Sequence, residues 1–243
     1  MIVLSYRGDY MVDIKHYLKV AKDELKSAFS HNKGLLLLAT LIFVIPLLIG
    51  YFYPEQVAEY VKPIADAFEE NVANGTVELT TQSLFVNNVT VAFILYALGA
   101  LGGLLAVVIL GNNGLFIGYT GANFNLLAYA ALVVPHGIFE IPAIIIATTG
   151  GFALLSFVLH FIWNLKSPDY SYLDIFDPYF SNVKITLGQR FTAAFKQNQN
   201  KLKESFIFLC LAVVLLIIAA FIEANITVPF AKVFLSFFGI GIA

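Results

Sequence analysis

Two acidic residues and one histidine lie in or beside apolar stretches of the sequence, where ionisable side chains are rare. His136 and Glu140 are four residues apart, so both project from one face of a helix. Glu223 directly follows the apolar run 205–222. Ionisable groups inside a bilayer are costly, and they usually pair with one another or serve a function. These three side chains therefore predict a site that holds a proton, an ion or a buried hydrogen-bonded contact.

Two interpretations of this site are open at the level of the sequence. One is a polar site for a ligand or ion, and the other is a structural network that holds helices together. A catalytic metal is a weaker alternative, because the zinc motif H-E-x-x-H supplies two histidines from one helix face. The other histidines here lie far from His136 in the sequence: His16, His31 and His160. Nucleophile motifs such as G-x-S-x-G and phosphate loops are absent, so we predict neither an enzyme nor a cofactor.

The composition predicts a membrane protein. Of the 243 residues, 59% are hydrophobic and only 12% are charged, whereas about a quarter of a soluble protein is charged. The net charge of -2 gives no indication of nucleic-acid binding. The single cysteine, Cys210, lies in an apolar run and is interpreted as a packing residue.

Five apolar stretches are long enough to cross a bilayer as helices, which takes about 20 residues each. They are residues 34–53, 88–111, 115–134, 136–163 and 205–222. The tail 226–243 is shorter and has three open interpretations: a sixth span, a re-entrant segment or an interfacial helix. The sequence therefore predicts an all-α bundle of five or six transmembrane helices, forming one domain over residues 34–243.

The distribution of positive charge predicts the orientation. Residues 1–33 and the loop 164–204 each hold six Lys or Arg, whereas the loop 54–87 holds one against six acids. Short cytoplasmic segments are enriched in Lys and Arg. We therefore expect a multi-pass protein of the cell membrane with a cytoplasmic N-terminus, a cytoplasmic loop 164–204 and an outer loop 54–87.

The segments outside the spans have amphipathic patterns. Apolar residues repeat at helical spacing between lysines in 11–29, which predicts that residues 1–33 form a cytoplasmic helix on the membrane surface. Residues 57–72 predict an outer amphipathic helix, and 183–204 a third amphipathic helix.

The predicted spans place several polar residues at one depth. Glu223 ends the fifth span, about 27 Å from its cytoplasmic start, and Glu140 lies near the outer start of the fourth. The second span begins at that same level. The candidate intramembrane site in the outer leaflet is therefore composed of His136, Glu140, Glu223, Asn87 and Asn88.

Small residues at four-residue spacing predict close helix packing, because they let backbones approach. The residues concerned are Gly99, Gly103, Gly114, Gly118, Ala143, Ala147 and Gly151. We prefer packing within one bundle to a homodimer seam. The sequence GNNG at 111–114 predicts a tight cytoplasmic turn containing Asn112 and Asn113.

Four segments resemble successive motifs of the stage II sporulation protein M family. They are FVNNVTVAFILYALG, GNNGLFIG, PHGIFEIPA and FIEANITVP, between about residues 85 and 230. The pattern PHG-x-x-E-x-PA at 135–143 is the most specific, and I-E-A-x-x-T-x-P at 222–229 supports it. In spore-forming bacteria, the resemblance implies a membrane anchor that recruits cell-wall hydrolases. Many relatives occur in organisms that form no spores.

The leading functional hypothesis is a non-enzymatic membrane scaffold or anchor. Its expected partners are the lipid bilayer, membrane or extracytoplasmic proteins, and a second copy in a homodimer. The alternative is a transport component that uses the outer-leaflet site, either a permease for ions or small solutes or the permease partner of an ATPase. A dry, bonded polar layer would favour the scaffold, and a water-filled cavity leading inward would favour transport.

Overall fold

The structure, a computed structural model, describes residues 5–74, 80–172 and 186–240, and over these ranges it contains helices and no strand. The helices are α1 (Ser5–His31), α2 (Lys33–Phe52), α3 (Pro54–Ala73), α4 (Thr81–Ala100), α5 (Leu104–Asn123), α6 (Leu126–Lys166), α7 (Leu187–Ile222) and α8 (Val228–Ser236). A 3₁₀ turn covers Tyr170–Tyr172, and a π-turn, Glu223–Thr227, joins α7 to α8.

Five helical units in the described residues are long and apolar enough to cross a membrane, which confirms the predicted class. They are α2, α4, α5, α6 and the continuous unit Leu187–Ser236. The nine residues of α8 rise about 14 Å, and α8 continues α7 through the π-turn. Residues 226–236 therefore form no separate sixth span.

The predicted turn at 111–114 is wrong, because Asn112 and Asn113 lie inside α5. The Asn113 amide donates a hydrogen bond to the carbonyl of Ile109 at 2.8 Å, so the helix itself satisfies this polar side chain. The chain reverses earlier, where Gly102 and Gly103 have φ of 116° and 80°. Glycine adopts that left-handed conformation without steric cost, and the predicted span 88–111 is thus divided between α4 and α5.

The predicted span 115–134 is also divided. α5 ends at Asn123, and the side chain of Asn125 accepts a hydrogen bond from the backbone of Ala128 at 3.1 Å, which caps α6. α6 then continues through Pro135 and Pro142 for 41 residues, about 60 Å. The predicted fourth span, 136–163, lies entirely within this helix.

Two predicted loops are shorter than expected. α4 begins at Thr81, so residues 81–87 of the predicted outer loop 54–87 are helical. α7 begins after Thr186, which forms a capping box with Gln189, and continues without a break into the span. Residues 187–204, part of the segment 183–204 that was predicted as a separate amphipathic helix, are therefore a continuation of the fifth span, because no Pro lies between 187 and 205 and Gly188 is in the first turn of the helix.

α6 is packed between α4 and α7. The Ser205 hydroxyl reaches Gly150 of α6, and Thr227 lies beside His136, so α6 and α7 are antiparallel. Gly99 and Gly151 are in backbone contact, so small residues bring α4 close to α6. Ala143 and Ala147 are fully buried in the same core.

The second major contact joins α2 to α5. Gly114 lies against the backbone of Phe43, and Gly118 against that of Leu47. The residue numbers increase together, so these two helices run parallel. The glycine pair 114/118 thus makes its close approach within the chain, whereas Gly103 lies in the turn after α4 and faces the Phe152 ring.

The bundle has two ends, which we name after two acidic residues. The Glu223 end contains the C-terminus of α2, the start of α4 and the start of α6. The Glu204 end contains the α1–α2 junction and the turn from α4 to α5. At the Glu204 end, α1 docks through Phe29, whose ring packs edge-on against Phe208 at 5.2 Å. At the Glu223 end, Val61 anchors α3, being 1% exposed.

Candidate functional site

The ionisable residues predicted from the sequence meet where α6 passes the π-turn. Nε2 of His136 lies 3.9 Å from Oε2 of Glu140. Glu223 joins them, and one ligand atom from each of the three residues lies within 4.8 Å of the others. All three side chains are half-buried. We call His136, Glu140 and Glu223 the acidic triad.

The π-turn brings Glu223 and Thr227 to α6. Pro229 has no backbone N–H, so it cannot bond to the carbonyl of Asn225 as a regular α-helix requires. The chain widens at Glu223–Thr227 instead, and it resumes the α conformation at Val228. Short π segments inside helices are frequently found at functional sites.

Thr227 contacts one of the two ring nitrogens of His136. The Thr227 hydroxyl donates to the carbonyl of Ile222 at 3.2 Å, and a hydroxyl has only one proton to donate. With that proton directed at Ile222, Thr227 accepts from Nδ1 of His136 across 3.4 Å. Nδ1 thus carries the proton, and the lone pair of Nε2 points toward Glu140.

Asn87 and Asn88, the other two residues predicted for the site, lie on α4. The Asn87 amide donates to Oδ1 of Asn88 at 3.4 Å, and Asn88 is buried. The described hydrogen bonds connect neither asparagine to the triad. A different pair links α4 to the π-turn, where the Asn225 amide donates to the Thr81 hydroxyl at 3.2 Å.

In the described part of the chain, the triad carboxylates form no ion pair with a lysine or an arginine. Their neighbouring base is His136. Two carboxylates so close together repel each other when both are charged. The arrangement therefore suits a shared proton or a bound cation.

An apolar layer separates the triad from the Glu204 end. It consists of the buried residues Ala143, Ile144, Ala147, Ala212 and Leu216. Thr148 and Thr149 are also buried here, and each hydroxyl donates at 2.8 Å to a carbonyl of its own helix. The polar side chains in this layer are therefore already satisfied within α6.

A second polar layer, which the sequence analysis missed, joins three helices beyond the apolar one. The Ser205 hydroxyl donates to the carbonyl of Gly150 at 2.8 Å. Because that uses its one proton, the Tyr96 hydroxyl must donate to Ser205 across 2.7 Å. These two hydrogen bonds connect α4, α7 and α6.

Glu204 is another buried polar residue that was not predicted, because the sequence analysis assigned it to a loop. Its side chain is 8% exposed, and Oε1 accepts from Nδ1 of His31 at 2.6 Å. Oε2 accepts from the Asn32 amide at 2.8 Å. Glu204 thereby fastens the junction of α1 and α2 to α7.

The triad lies inside a region shared with other proteins. The family model for stage II sporulation protein M matches residues 39–228. The chain belongs to the stage II sporulation protein M family. This family is not a known family of enzymes. Its match covers all the residues of the triad and of the Tyr96–Ser205 layer.

Two relatives come from an archaeon. One uncharacterized protein of Methanocaldococcus jannaschii is 27% identical over 225 residues, covering 88% of this chain and 91% of its own. A second uncharacterized protein of that organism is 27% identical over 165 residues, covering 66% of this chain and 78% of its own. No solved structure matches the chain.

The most specific motif of the family resemblance and the later motif that supports it converge at the triad. PHG-x-x-E-x-PA supplies His136 and Glu140, and I-E-A-x-x-T-x-P supplies Glu223 and Thr227. Thr227 is part of the second motif. Its contact with His136 could not be predicted, because regular helical spacing does not indicate the π-turn that places the two residues side by side.

Proposed function

We propose that this protein is a non-enzymatic membrane scaffold that holds partner proteins at the membrane. The observation that supports this function is the packed apolar layer between the triad and the Glu204 end. An ion or solute path needs polar groups at successive depths. Between Glu140 and the Ser205 hydroxyl, the polar side chains of α6 bond to their own helix instead.

The scaffold offers α3 as its partner surface. One side of α3 is anchored by Val61, whereas Glu55, Glu59 and Tyr60 are exposed. A rigid exposed tyrosine among acids suits a protein partner, because tyrosine is enriched in interfaces. With basic residues concentrated toward the Glu204 end, we place α3 outside the cell and the N-terminus in the cytoplasm. The partner is then an extracytoplasmic protein, as for the hydrolase anchors that the family resemblance implies.

A transport component is the second candidate. The observation in its favour is the triad, because ionisable side chains grouped within spans often line ion or proton pathways. Transport through this fold would require the layer at Ala147 and Leu216 to open.

Photo-crosslinking in native membranes tests the scaffold. A photoreactive amino acid replaces Tyr60, which is 55% exposed on α3, or Ile45, which is 51% exposed on the apolar helix α2. We expect one defined extracytoplasmic protein adduct at position 60 and lipid adducts at position 45. The adduct at position 60 should disappear in the variant Glu59→Lys, which reverses a charge on the same surface.

Proteoliposomes supply the opposing measurement. The scaffold requires that the purified protein add no ion or solute flux to vesicles. A flux that Glu140→Gln abolishes, together with no protein adduct at position 60, would replace the scaffold with the transport component.

A further inference from the structure

We propose that the acidic triad binds one divalent transition-metal ion, with zinc as the preferred ion, between α6 and the π-turn. The site is independent of whether the protein acts as a scaffold. His136 supplies an imidazole nitrogen, and Glu140 and Glu223 supply carboxylate oxygens. Imidazole and carboxylate together are a normal ligand set for zinc and its first-row neighbours.

The distances in the triad are close to those of a coordinated ion. Zinc binds nitrogen and oxygen at about 2.1 Å, so two ligands of a tetrahedral site lie about 3.4 Å apart. Nε2 of His136 and Oε2 of Glu140 are 3.9 Å apart, and the three ligand atoms lie within 4.8 Å of one another. Side-chain rotation that moves the glutamate carboxylates by about 1 Å closes this difference.

The contact with Thr227 prepares His136 for a metal. A ligating histidine usually donates its other ring N–H to a protein acceptor, which fixes the tautomer and the ring orientation. Thr227 offers that acceptor when its own proton is directed at Ile222. The unprotonated Nε2 therefore faces the carboxylates, which is the protonation state that coordination requires. This second contact distinguishes the triad from a chance group of acidic residues.

The charge of the triad also favours a divalent cation. Glu140 and Glu223 together carry two negative charges when ionised, and in the described ranges no Lys or Arg pairs with them. One divalent ion balances both. Magnesium and calcium prefer a larger set of oxygen ligands, whereas the triad offers one nitrogen and two carboxylates. The ion would connect α6 to the π-turn, which lies more than 80 positions later in the chain.

Metal binding by the purified full-length protein tests the site. The protein in detergent is stripped with a chelator, titrated with ZnCl2 or MgCl2, and measured by elemental analysis and thermal unfolding. Titration with Co2+ adds a visible absorption band that reports the ligands directly. We expect one zinc per chain, a higher Tm with zinc than with magnesium, and a Co2+ spectrum typical of nitrogen and oxygen ligands.

Variants separate the site from adventitious binding. Glu140→Gln and Glu223→Gln keep the side-chain size but remove a charged ligand, so each should abolish stoichiometric binding. Thr227→Val should keep one equivalent but weaken it about 10- to 100-fold, as expected for a lost orienting partner. The matched control is His160→Ala, because His160 is an exposed histidine of the same helix that bonds to Ser156; it should bind zinc like the wild type.

Three results would overturn the proposal. The first is a wild type without saturable zinc or Co2+ binding. The second is glutamine variants that elute as folded protein and bind zinc as tightly as the wild type. The third is loss of binding in His160→Ala, which would assign the zinc to a surface histidine.

Discussion

Gly118 of α5 lies against the carbonyl oxygen of Leu47 in α2. A Cβ placed on Gly118 would be 2.0 Å from that oxygen, and one placed on Gly114 would be 2.2 Å from the carbonyl oxygen of Phe43. These neighbours are backbone atoms, so they cannot move aside as a flexible side chain can. The two parallel helices are therefore in direct backbone contact, and this contact sets the distance between them.

We expect Gly118→Ala to separate α2 from α5 and to destabilise the fold. Extra volume in a packed contact costs about 1–3 kcal/mol, and the upper part of that range applies here because backbone must shift. Thermal unfolding in detergent measures the effect as a lower Tm. Gly34→Ala is the control, because no heavy atom lies within 4 Å of a Cβ there. An equal loss of stability at both positions would show that the contact with Leu47 is not the cause.

The position of the α4–α5 turn is testable by a pair of substitutions. Gly102 has a φ of 116°, which L residues rarely adopt, so Gly102→Ala should cost about 1 kcal/mol or more from backbone strain. Asn113→Ala removes one amide bond to Ile109 within a helix, and the helical preference of alanine offsets that loss. Thermal unfolding should therefore show a clear Tm decrease only for Gly102→Ala. A larger Tm decrease for Asn113→Ala than for Gly102→Ala would instead support a turn at residues 111–114.

Tyr96 and Ser205 should be energetically coupled. Ser205→Ala leaves the buried Tyr96 hydroxyl without its acceptor, a loss of about 1–3 kcal/mol, and Tyr96→Phe costs about 1 kcal/mol. The double variant has no unpaired hydroxyl. Its loss of unfolding free energy should therefore be smaller, by about 1 kcal/mol, than the sum of the losses in the two single variants. Denaturation curves of the four proteins measure this difference. Thr192→Ala, near the start of α7, serves as the uncoupled control and should add to Tyr96→Phe without interaction.

Replacing Glu204 should destabilise the fold more than replacing Glu24, although both acids contact basic or polar groups at the Glu204 end. Glu204→Ala removes the acceptor that exposed His31 shares with Asn32, whose amide keeps its bond to the carbonyl of Ala28, so the loss should be about 2 kcal/mol. Glu24→Ala removes an exposed pair with Lys203, which is worth about 0–1 kcal/mol. Limited proteolysis after α1 would report release of this helix. Equal protease resistance of Glu204→Ala and the wild type would contradict the fastening role.

The proposed orientation predicts opposite labelling at the two ends. Cys210→Ala removes the native cysteine, after which a single cysteine replaces either Glu59 of α3 or Ser171 after α6, both exposed. A membrane-impermeant maleimide should label Glu59→Cys in intact cells and Ser171→Cys only after the membrane is opened. Labelling of Ser171→Cys in intact cells, with Glu59→Cys protected, would invert the topology.

Apolar composition predicted five or six spans, of which the described residues contain five, but it did not predict where two of them end. The turn at Gly102 and Gly103 is flanked by leucines, so a hydropathy pattern continues through it. The asparagines at 112 and 113 look like a turn, yet an asparagine amide can bond to a carbonyl four residues earlier in a helix. Polarity alone does not distinguish these two cases.

The triad could be predicted in part, because a four-residue spacing places His136 and Glu140 on one helix face and counting helical rise brings Glu223 to them. Thr227 could not be predicted in the same way, since the π-turn adds a residue to one turn and changes which side chains face α6. The burial of Glu204 was not predicted, because the amphipathic pattern at the start of α7 resembles that of a separate surface helix, whereas the helix continues into the span.

The α2–α5 contact has a consequence for how the chain assembles during synthesis. Leu47 and Gly118 are 71 positions apart in sequence, so the ribosome produces the partner of α2 only after α3 and α4. Lipid must cover the α2 stripe that contains Phe43 and Leu47 until then. The parallel seam can close only once the α4–α5 hairpin has entered the bilayer, which makes it a late step that distinguishes a fully inserted chain from a partly inserted one.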